Sequence, residues 1–246
     1  MRVALDATPL IGTRTGIGVF VAELLRSLQA SEQEGIDIEI APYTLSVGAR
    51  LRGKTQGAWV PIPAGKAATV WRHFKGPRIE RFVGGVDVVH GTNYLVPPSS
   101  HPRLVTVHDL SFLREPVAAS APIARFDRAV ADAVNTGAVV HAISNYVADE
   151  IRDRYAAPDV RVVYPGVHPR PSTTEPKGTS PVLVTLGVTQ RRKGISDLIS
   201  AFGLIAQANK SVKLHIIGPA GDDENRTNQL VGRLPASIAA RVQRIG

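Results

Sequence analysis

The chain has 246 residues, 43% hydrophobic and 20% charged, with no cysteine; this is a globular composition that excludes a disulfide scaffold, a thiolate zinc site and an iron–sulfur cluster. No run of ~18 apolar residues occurs, and the N-terminus MRVALDATPLIG has neither a basic n-region nor a long apolar h-region, so neither a spanning helix nor a signal peptide is readable. The net charge of +8 is local: between residues 50 and 81, Arg50, Arg52, Lys54, Lys66, Arg72, Lys75, Arg78 and Arg81 stand against one acid, Glu80. Such a stretch favours an anionic partner such as phosphate, nucleic acid or an acidic membrane, although a solvated face carries the same charge.

Short β-rich runs alternate with helical periodicity almost throughout. Arg2–Ala7 reads as a buried strand, followed after TPLIGTRTG by a helix over Ile17–Ala30 with Phe20, Leu24, Leu25 and Leu28 on one face. Ile36–Tyr43 is a second strand, and Val70–Phe82 an amphipathic helix with Val70, Trp71, Phe74 and Phe82 inward, interrupted by Gly76-Pro77. Val86–His90 and Leu104–His108 are Val-rich strands, each ending in histidine. Pro122–Val134 is a helix and Ala138–Ile143 a strand, after which Ser144 caps a helix running to Tyr155; Val160–Tyr164 is one more strand. Strands separated by helices of this length imply right-handed βαβ units and a parallel sheet.

Between Pro165 and Pro181 the sequence PGVHPRPSTTEPKGTSP reads as a linker. The alternation then restarts with strand Val182–Gly187, helix Ile195–Ala208, strand Val212–Gly218 and a weaker helix near Arg226–Leu234. The expected fold is therefore α/β in two parts. Residues 1–165 form a complete parallel-sheet domain, 166–181 a linker, and 182–246 the beginning of a second one. Two strands with two helices would leave much apolar surface uncovered, so this second part reads as unfinished.

Ligands of open parallel sheets bind at the carboxyl ends of the strands, and four features fall there. Gly12 to Gly18 (GTRTGIG) joins the first strand to its helix; glycines admit a ligand close to the backbone, and free N–H groups favour an anion. A plain tight turn would look the same, and the dinucleotide G-x-G-x-x-G is not completed. HGTNYLVPP places His90, Asn93 and Tyr94 at the next edge, and VTVHDLSFLREP places His108 and Asp109. Two histidines ending adjacent strands would face one rim, where a neutral imidazole can bind a hydroxyl or exchange a proton; a packed structural histidine is the plainer alternative. No third ligand at suitable spacing supports a metal site. In TLGVTQRRKGISDL, Arg191, Arg192 and Lys193 precede a helix. Cations there oppose the helix dipole unless an anion sits among them.

Taken together, GTRTGIGVF, HGTNYLVP, VTVHDLSF, AISNYVADEI, VRVVYPGV, TLGVTQRRKG and LHIIGPAG occur in the order seen in retaining glycosyltransferases of family 4, and the chain resembles that family along nearly its whole length. The resemblance is greatest to a bacterial branch rich in mannosyltransferases of glycolipid and polysaccharide assembly. It implies the GT-B fold, two Rossmann-like domains, and a nucleotide-sugar donor, GDP-mannose first and a UDP-hexose second, without cofactor or metal. It also implies that Gly16, Gly18 and Gly187 lie against the donor, that His108 contacts the transferring sugar, and that Arg192 and Lys193 neutralise the leaving diphosphate. His90, Asn93, Tyr94, Asp109 and Ser144 become sugar or acceptor contacts. Many relatives carry arginine directly after the glycine equivalent to Gly187, where this chain has Val188.

The family's E-x7-E segment would follow beyond Gly246, and Asp222, Asp223 and Glu224 do not reproduce its spacing. The expectation is a fragment with little transfer activity, or a non-catalytic acceptor- or membrane-binding module. The Arg50–Arg81 stretch would dock on an anionic membrane, placing a cytoplasmic protein at the inner membrane face. A nicotinamide-dependent oxidoreductase lacks its glycine fingerprint, and Tyr43 occupies the region where its acidic residue would end the second strand. Nucleic-acid binding lacks interleaved aromatics.

Overall fold

The computed structural model describes residues 1–12, 16–114, 121–167, 178 and 180–245, with 32, 33 and 121–124 described by backbone alone. The chain divides into two compact units, Met1–His168 and Pro169–Gly246. In unit 1 the elements run β1 (Arg2–Asp6), α1 (Gly16–Gln33), β2 (Glu39–Leu45), α2 (Val47–Leu51), β3 (Ala58–Val60), α3 (Ala64–Phe74) and α4 (Glu80–Val83). They continue with β4 (Val88–Gly91), β5 (Arg103–Val107), α5 (Ala121–Asn135), β6 (Val139–Ala142), α6 (Asn145–Tyr155) and β7 (Val160–Val162).

The strands form one parallel sheet in the order β3-β2-β1-β4-β5-β6-β7. Strand order reverses at β1, with β2 on one side and β4 on the other, and in open parallel sheets this switch point, at the carboxyl ends of β1 and β4, is where ligands bind. The strands are short apolar runs because both faces are covered: Val89, Val105, Val107 and Val140 are fully buried. Helix α6 begins as its sequence requires, with the Val147 N–H donating to the Ser144 Oγ (3.2 Å) and Val147, Ala148 and Ile151 buried on one stripe.

Residues Val70–Phe82 are not one helix. Helix α3 ends at Phe74, Lys75 takes a left-handed conformation (φ 49°), and a separate turn of helix, α4, follows. Pro77 supplies no N–H and biases Gly76 away from helical geometry, and Phe74, expected inward, is 79% exposed. The second strand begins at Glu39 rather than Ile36, and α2 and β3 arise within the basic stretch where no periodicity announced them.

Unit 2 contains β8 (Val182–Leu186), α7 (Ile195–Ala208), β9 (Lys213–Ile217), α8 (Glu224–Arg233), α9 (Ala236–Ala239) and β10 (Val242–Ile245). Its sheet has three parallel strands, β10-β9-β8, because Val242–Ile245, not foreseen as a strand, pairs with β9. Ile195, Ile199, Phe202, Leu214 and Ile216 form its core, while Val182, Val184 and Leu186 of β8 are exposed. Most of the linker, residues 168–177 and 179, lies outside the described residues.

Candidate functional site

The carboxyl edge of the unit 1 sheet is held together by polar contacts between strand ends. Asp6, the last residue of β1, is buried and accepts the Thr8 N–H at Oδ1 (2.9 Å). The Thr92 hydroxyl donates to the Asp6 carbonyl (2.8 Å), tying the loop after β4 to β1. Burial pushes the Asp6 carboxyl up to about 6, against the opposing pull of the Thr8 hydrogen bonds. In register with it on β2 stands Tyr43, whose fully buried hydroxyl has no partner among the described residues. Burial, with the charge of Asp6, drives the Tyr43 phenol well above its ordinary value.

His108 follows β5 directly. Its Nε2–H donates to the Thr92 carbonyl (2.9 Å), and because a carbonyl only accepts, the neutral ring keeps its lone pair on Nδ1. Burial lowers the His108 pKa, outweighing the Thr92 hydrogen bond and the nearby Asp109, with His141 adding to the fall. The ring is pinned edge-on by Phe20 of α1 (centroids 5.1 Å apart) and by Tyr94 (6.0 Å).

His90 does not share that rim, contrary to the expectation of two histidines facing one ligand. It is buried on β4, with Nε2 2.8 Å from the Thr106 Oγ1. Thr106 in turn lies 2.9 Å from the His141 Nδ1, and the His141 Nε2–H donates to the Val163 carbonyl (3.0 Å). That carbonyl sets the polarity of the chain. With His141 neutral, Nδ1 accepts the Thr106 O–H, and the Thr106 oxygen accepts the His90 Nε2–H. Burial, then repulsion from His141 and His108, lowers the His90 pKa to about 3. Thr106 and His141 were not singled out in the sequence, where each reads as one polar residue in a Val-rich strand.

The remaining candidates divide by environment. At Gly91 an added Cβ would lie 1.9 Å from the Leu95 carbonyl oxygen, so the backbone folds tightly over itself there. This turn, with Tyr94 at φ 59°, buries the Tyr94 ring against His108, Phe112 and Phe126, so its ring serves as packing under His108 rather than as an open sugar contact. Asn93 keeps a buried Oδ1 with no partner among the described residues, an acceptor whose lone pairs are available to a hydroxyl-bearing ligand. Asp109 Oδ1 accepts both the N–H (2.9 Å) and O–H (2.7 Å) of Ser111, which commits that oxygen to the following turn. Ser144 caps α6. Gly16 begins α1 exposed, with nothing among the described residues within 4 Å of an added Cβ, and Gly18, two residues on, is buried; residues 13–15 of this loop lie outside the described residues.

Unit 2 has its own glycine-rich carboxyl edge. Gly187 (φ 145°) directly follows β8, and a Cβ at Gly218 would lie 2.3 Å from the Gly187 carbonyl oxygen. Arg191, Arg192 and Lys193 form a short helical turn before α7, all exposed, with Gly194 left-handed at the helix start. No ion pair engages Arg192 or Lys193 among the described residues, whereas the three acids downstream are committed. Asp222 Oδ1 accepts the Arg191 N–H (3.1 Å), Asp223 accepts the Ser196 hydroxyl (2.6 Å), and Glu224 pairs with Arg244 (2.8 Å). Among the described residues no group of three or more His, Asp or Glu side chains is placed to hold a metal, and no helix is long and apolar enough to cross a membrane.

A family model, Glycosyltransferase Family 4, matches residues 14–170. No curated protein sequence matches the chain. Among solved structures, Anabaena HepE in complex with UDP-glucose is similar at TM-score 0.59 and 16% identity, over 100% of this chain and 69% of that one. The N-terminal domain of Candida albicans trehalose-6-phosphate phosphatase is similar at TM-score 0.61 and 10% identity, over 99% and 71%. A variant of S. aureus TarM, in complex with fondaparinux, alpha-GlcNAc-glycerol and UDP, aligns at TM-score 0.50 and 12% identity, over 64% of this chain and 32% of that one. At such identities the likeness is one of fold, and the chain spans about a third of TarM and about two-thirds of the other two.

Proposed function

This chain belongs to Glycosyltransferase Family 4, and from that membership we propose that it moves a hexose from a nucleotide diphosphate sugar to a glycolipid or polysaccharide acceptor with retention of configuration. Mannose from GDP-mannose is the first candidate. HepE, captured with UDP-glucose, puts a UDP-hexose beside it in the test. The observation that carries the reading is His108, set at the end of β5 with its Nε2 committed to Thr92 and its ring clamped by Phe20 and Tyr94.

Cleavage of the sugar–phosphate bond makes the anomeric carbon electron-poor and adds a third full negative charge to the departing diphosphate, the second on its terminal phosphate. A His108 kept neutral by burial accepts a sugar hydroxyl at Nδ1 without adding positive charge beside that carbon. The uncommitted Arg192 and Lys193, together with the N–H groups opening α7, supply the compensating field for the leaving group. A glycine at position 16, which no contact within the described protein requires, lets the donor approach the backbone. The exposed cations from Arg50 to Arg81 and the adjoining exposed Leu51 and Phe74 would seat the protein on an anionic membrane, each cation contributing ~1 kcal/mol.

The test is calorimetric titration of the 246-residue chain with UDP-glucose and GDP-mannose, paired with a radiolabelled transfer assay to lipid extracts. We expect saturable binding of one donor, weakened by about tenfold or more in Arg192→Ala/Lys193→Ala, and turnover lowered by His108→Ala. Absence of binding for both donors to the folded chain refutes a donor site. Binding without turnover in any assay favours the acceptor- or membrane-binding module. Sedimentation with anionic against neutral vesicles tests the docking, which equal binding to both would reject.

A further inference from the structure

A cavity of about 380 Å³ in unit 1 is lined by the last turns of α3 and α5, the connection between β4 and β5, and the start of β5. Arg103, in its wall, and His108 stand at opposite ends of β5, about 17 Å apart by strand rise. Side-chain alternation also puts Arg103 on the sheet face opposite Thr106 and His108. The cavity is therefore separate from the carboxyl edge.

Its charge is unbalanced. Four cations line it, Arg72, Lys75, Arg78 and Arg103, with one acid, Asp132. Asp132 is taken by Arg72, which donates from Nε (2.7 Å) and Nη2 (2.5 Å) to one oxygen. Lys75 and Arg78 make no ion pair among the described residues. Among the described residues Arg103 donates only to the neutral hydroxyl (3.1 Å) and carbonyl of Thr136, and its burial lowers its pKa. Glu80, close by in sequence, is spent on Ser99, Ser100 and His101. The carboxyl ends of α3 and α5 each place about half a negative charge here, which offsets one of the three surplus cations and leaves about two. The wall adds one orphaned donor: Trp71 is 7% exposed and its Nε1–H has no partner among the described residues.

We infer that this cavity is an anion site for a phosphate monoester carrying an apolar group. A phosphate monoester brings nearly two negative charges at neutral pH and only acceptor oxygens. These match the surplus charge of Lys75, Arg78 and Arg103 and the Trp71 N–H, while Leu95 and Val96 offer apolar wall to the ester group. The inference shares Lys75 and Arg78 with the proposed membrane docking but depends neither on that docking nor on the donor site.

The chain has two tryptophans. Because the Trp59 indole N–H is already bonded to the Ser46 carbonyl (3.1 Å), the two indole resonances in a ¹H–¹⁵N spectrum give a probe and an internal control, assigned with Trp71→Phe. Titration with hexyl phosphate is expected to shift the Trp71 indole saturably while Trp59 stays in place and hexanol has no effect. Lys75→Gln/Arg78→Gln, which alters two exposed side chains, is expected to weaken binding by about tenfold or more. Phosphatidic acid vesicles, whose headgroup is itself a phosphate monoester, separate the sources. Displacement of bound vesicles by hexyl phosphate assigns the site to a lipid headgroup, and unaltered vesicle binding assigns it to a free phosphate ester. A Trp71 resonance that does not move by about 10 mM hexyl phosphate, that moves equally with hexanol, or that responds unchanged in the double variant overturns the inference. Donor binding is read separately by calorimetry, so failure of one leaves the other standing.

Discussion

Acidification from pH 7 to pH 5 sets two buried groups of unit 1 against each other. His90 holds a pKa of about 3 in the folded protein against an ordinary 6.5. Below pH 6.5 the unfolded chain takes up a proton that the folded chain refuses, and stability falls with pH until about pH 3. Asp6 is raised from 3.8 to about 6. Here the folded chain protonates first, and stability rises as pH falls through 6. Integrating proton linkage between pH 7 and pH 5, His90 costs ~2 kcal/mol and Asp6 returns ~1 kcal/mol. The wild-type protein should therefore lose only about 1 kcal/mol, with the lowered pKa of His108 adding to the loss.

Two near-isosteric variants separate these terms. Asp6→Asn keeps the acceptor for the Thr8 N–H and removes the compensating carboxyl, so the loss between pH 7 and 5 grows to ~2 kcal/mol. His90→Gln keeps an N–H for Thr106 and removes the imidazole, so the variant gains ~1 kcal/mol over the same range, less the His108 contribution. Urea unfolding at pH 7, 6 and 5 followed by tryptophan fluorescence measures this in unit 1, because Trp59 and Trp71 both lie there. Pooled slopes of one sign, with Asp6→Asn no steeper than wild type, would refute the opposition and the burial of both groups from which it follows.

Gly91→Ala forces a Cβ to within 1.9 Å of the Leu95 carbonyl and should cost about 3 kcal/mol or more, read as a fall in Tm. Thr106→Val strands the His90 N–H and removes the donor to His141; a loss of ~2 to 3 kcal/mol in urea unfolding is expected, and less than ~1 would mean the chain of hydrogen bonds is water-replaced. Ser144→Ala removes the α6 cap, with an expected cost of ~1 kcal/mol that Ser144→Asp restores.

How far the sequence carries depends on whether the decisive signal is local. The α6 cap and the span of α7 are local, and they emerge as read, since Ser144 and the apolar stripe beyond it leave one solution. The helix expected over Val70–Phe82 fails for a local reason that apolar spacing overrode, the proline at 77. Strands β3 and β10 depend on partners elsewhere in the sheet, Tyr43 to Leu45 and Leu214 to Ile217, and three or four residues carry no period of their own. The hydrogen-bonded histidines show the same limit and its remedy. Strand alternation alone puts Thr106 and His108 on one face of β5, because they are two residues apart. What the sequence lacks is register: Thr106 stands beside His141 and His90 beside Leu104, which brings one polar residue from each of three Val-rich strands onto a common face. A polar side chain in a strand buried on both sides is costly unless bonded, so three such residues on consecutive strands already demanded partners, and Thr106 meets the two histidines while His141 also reaches the Val163 carbonyl. His108, at the end of its strand, is then the accessible end of a larger polar cluster whose other members are buried.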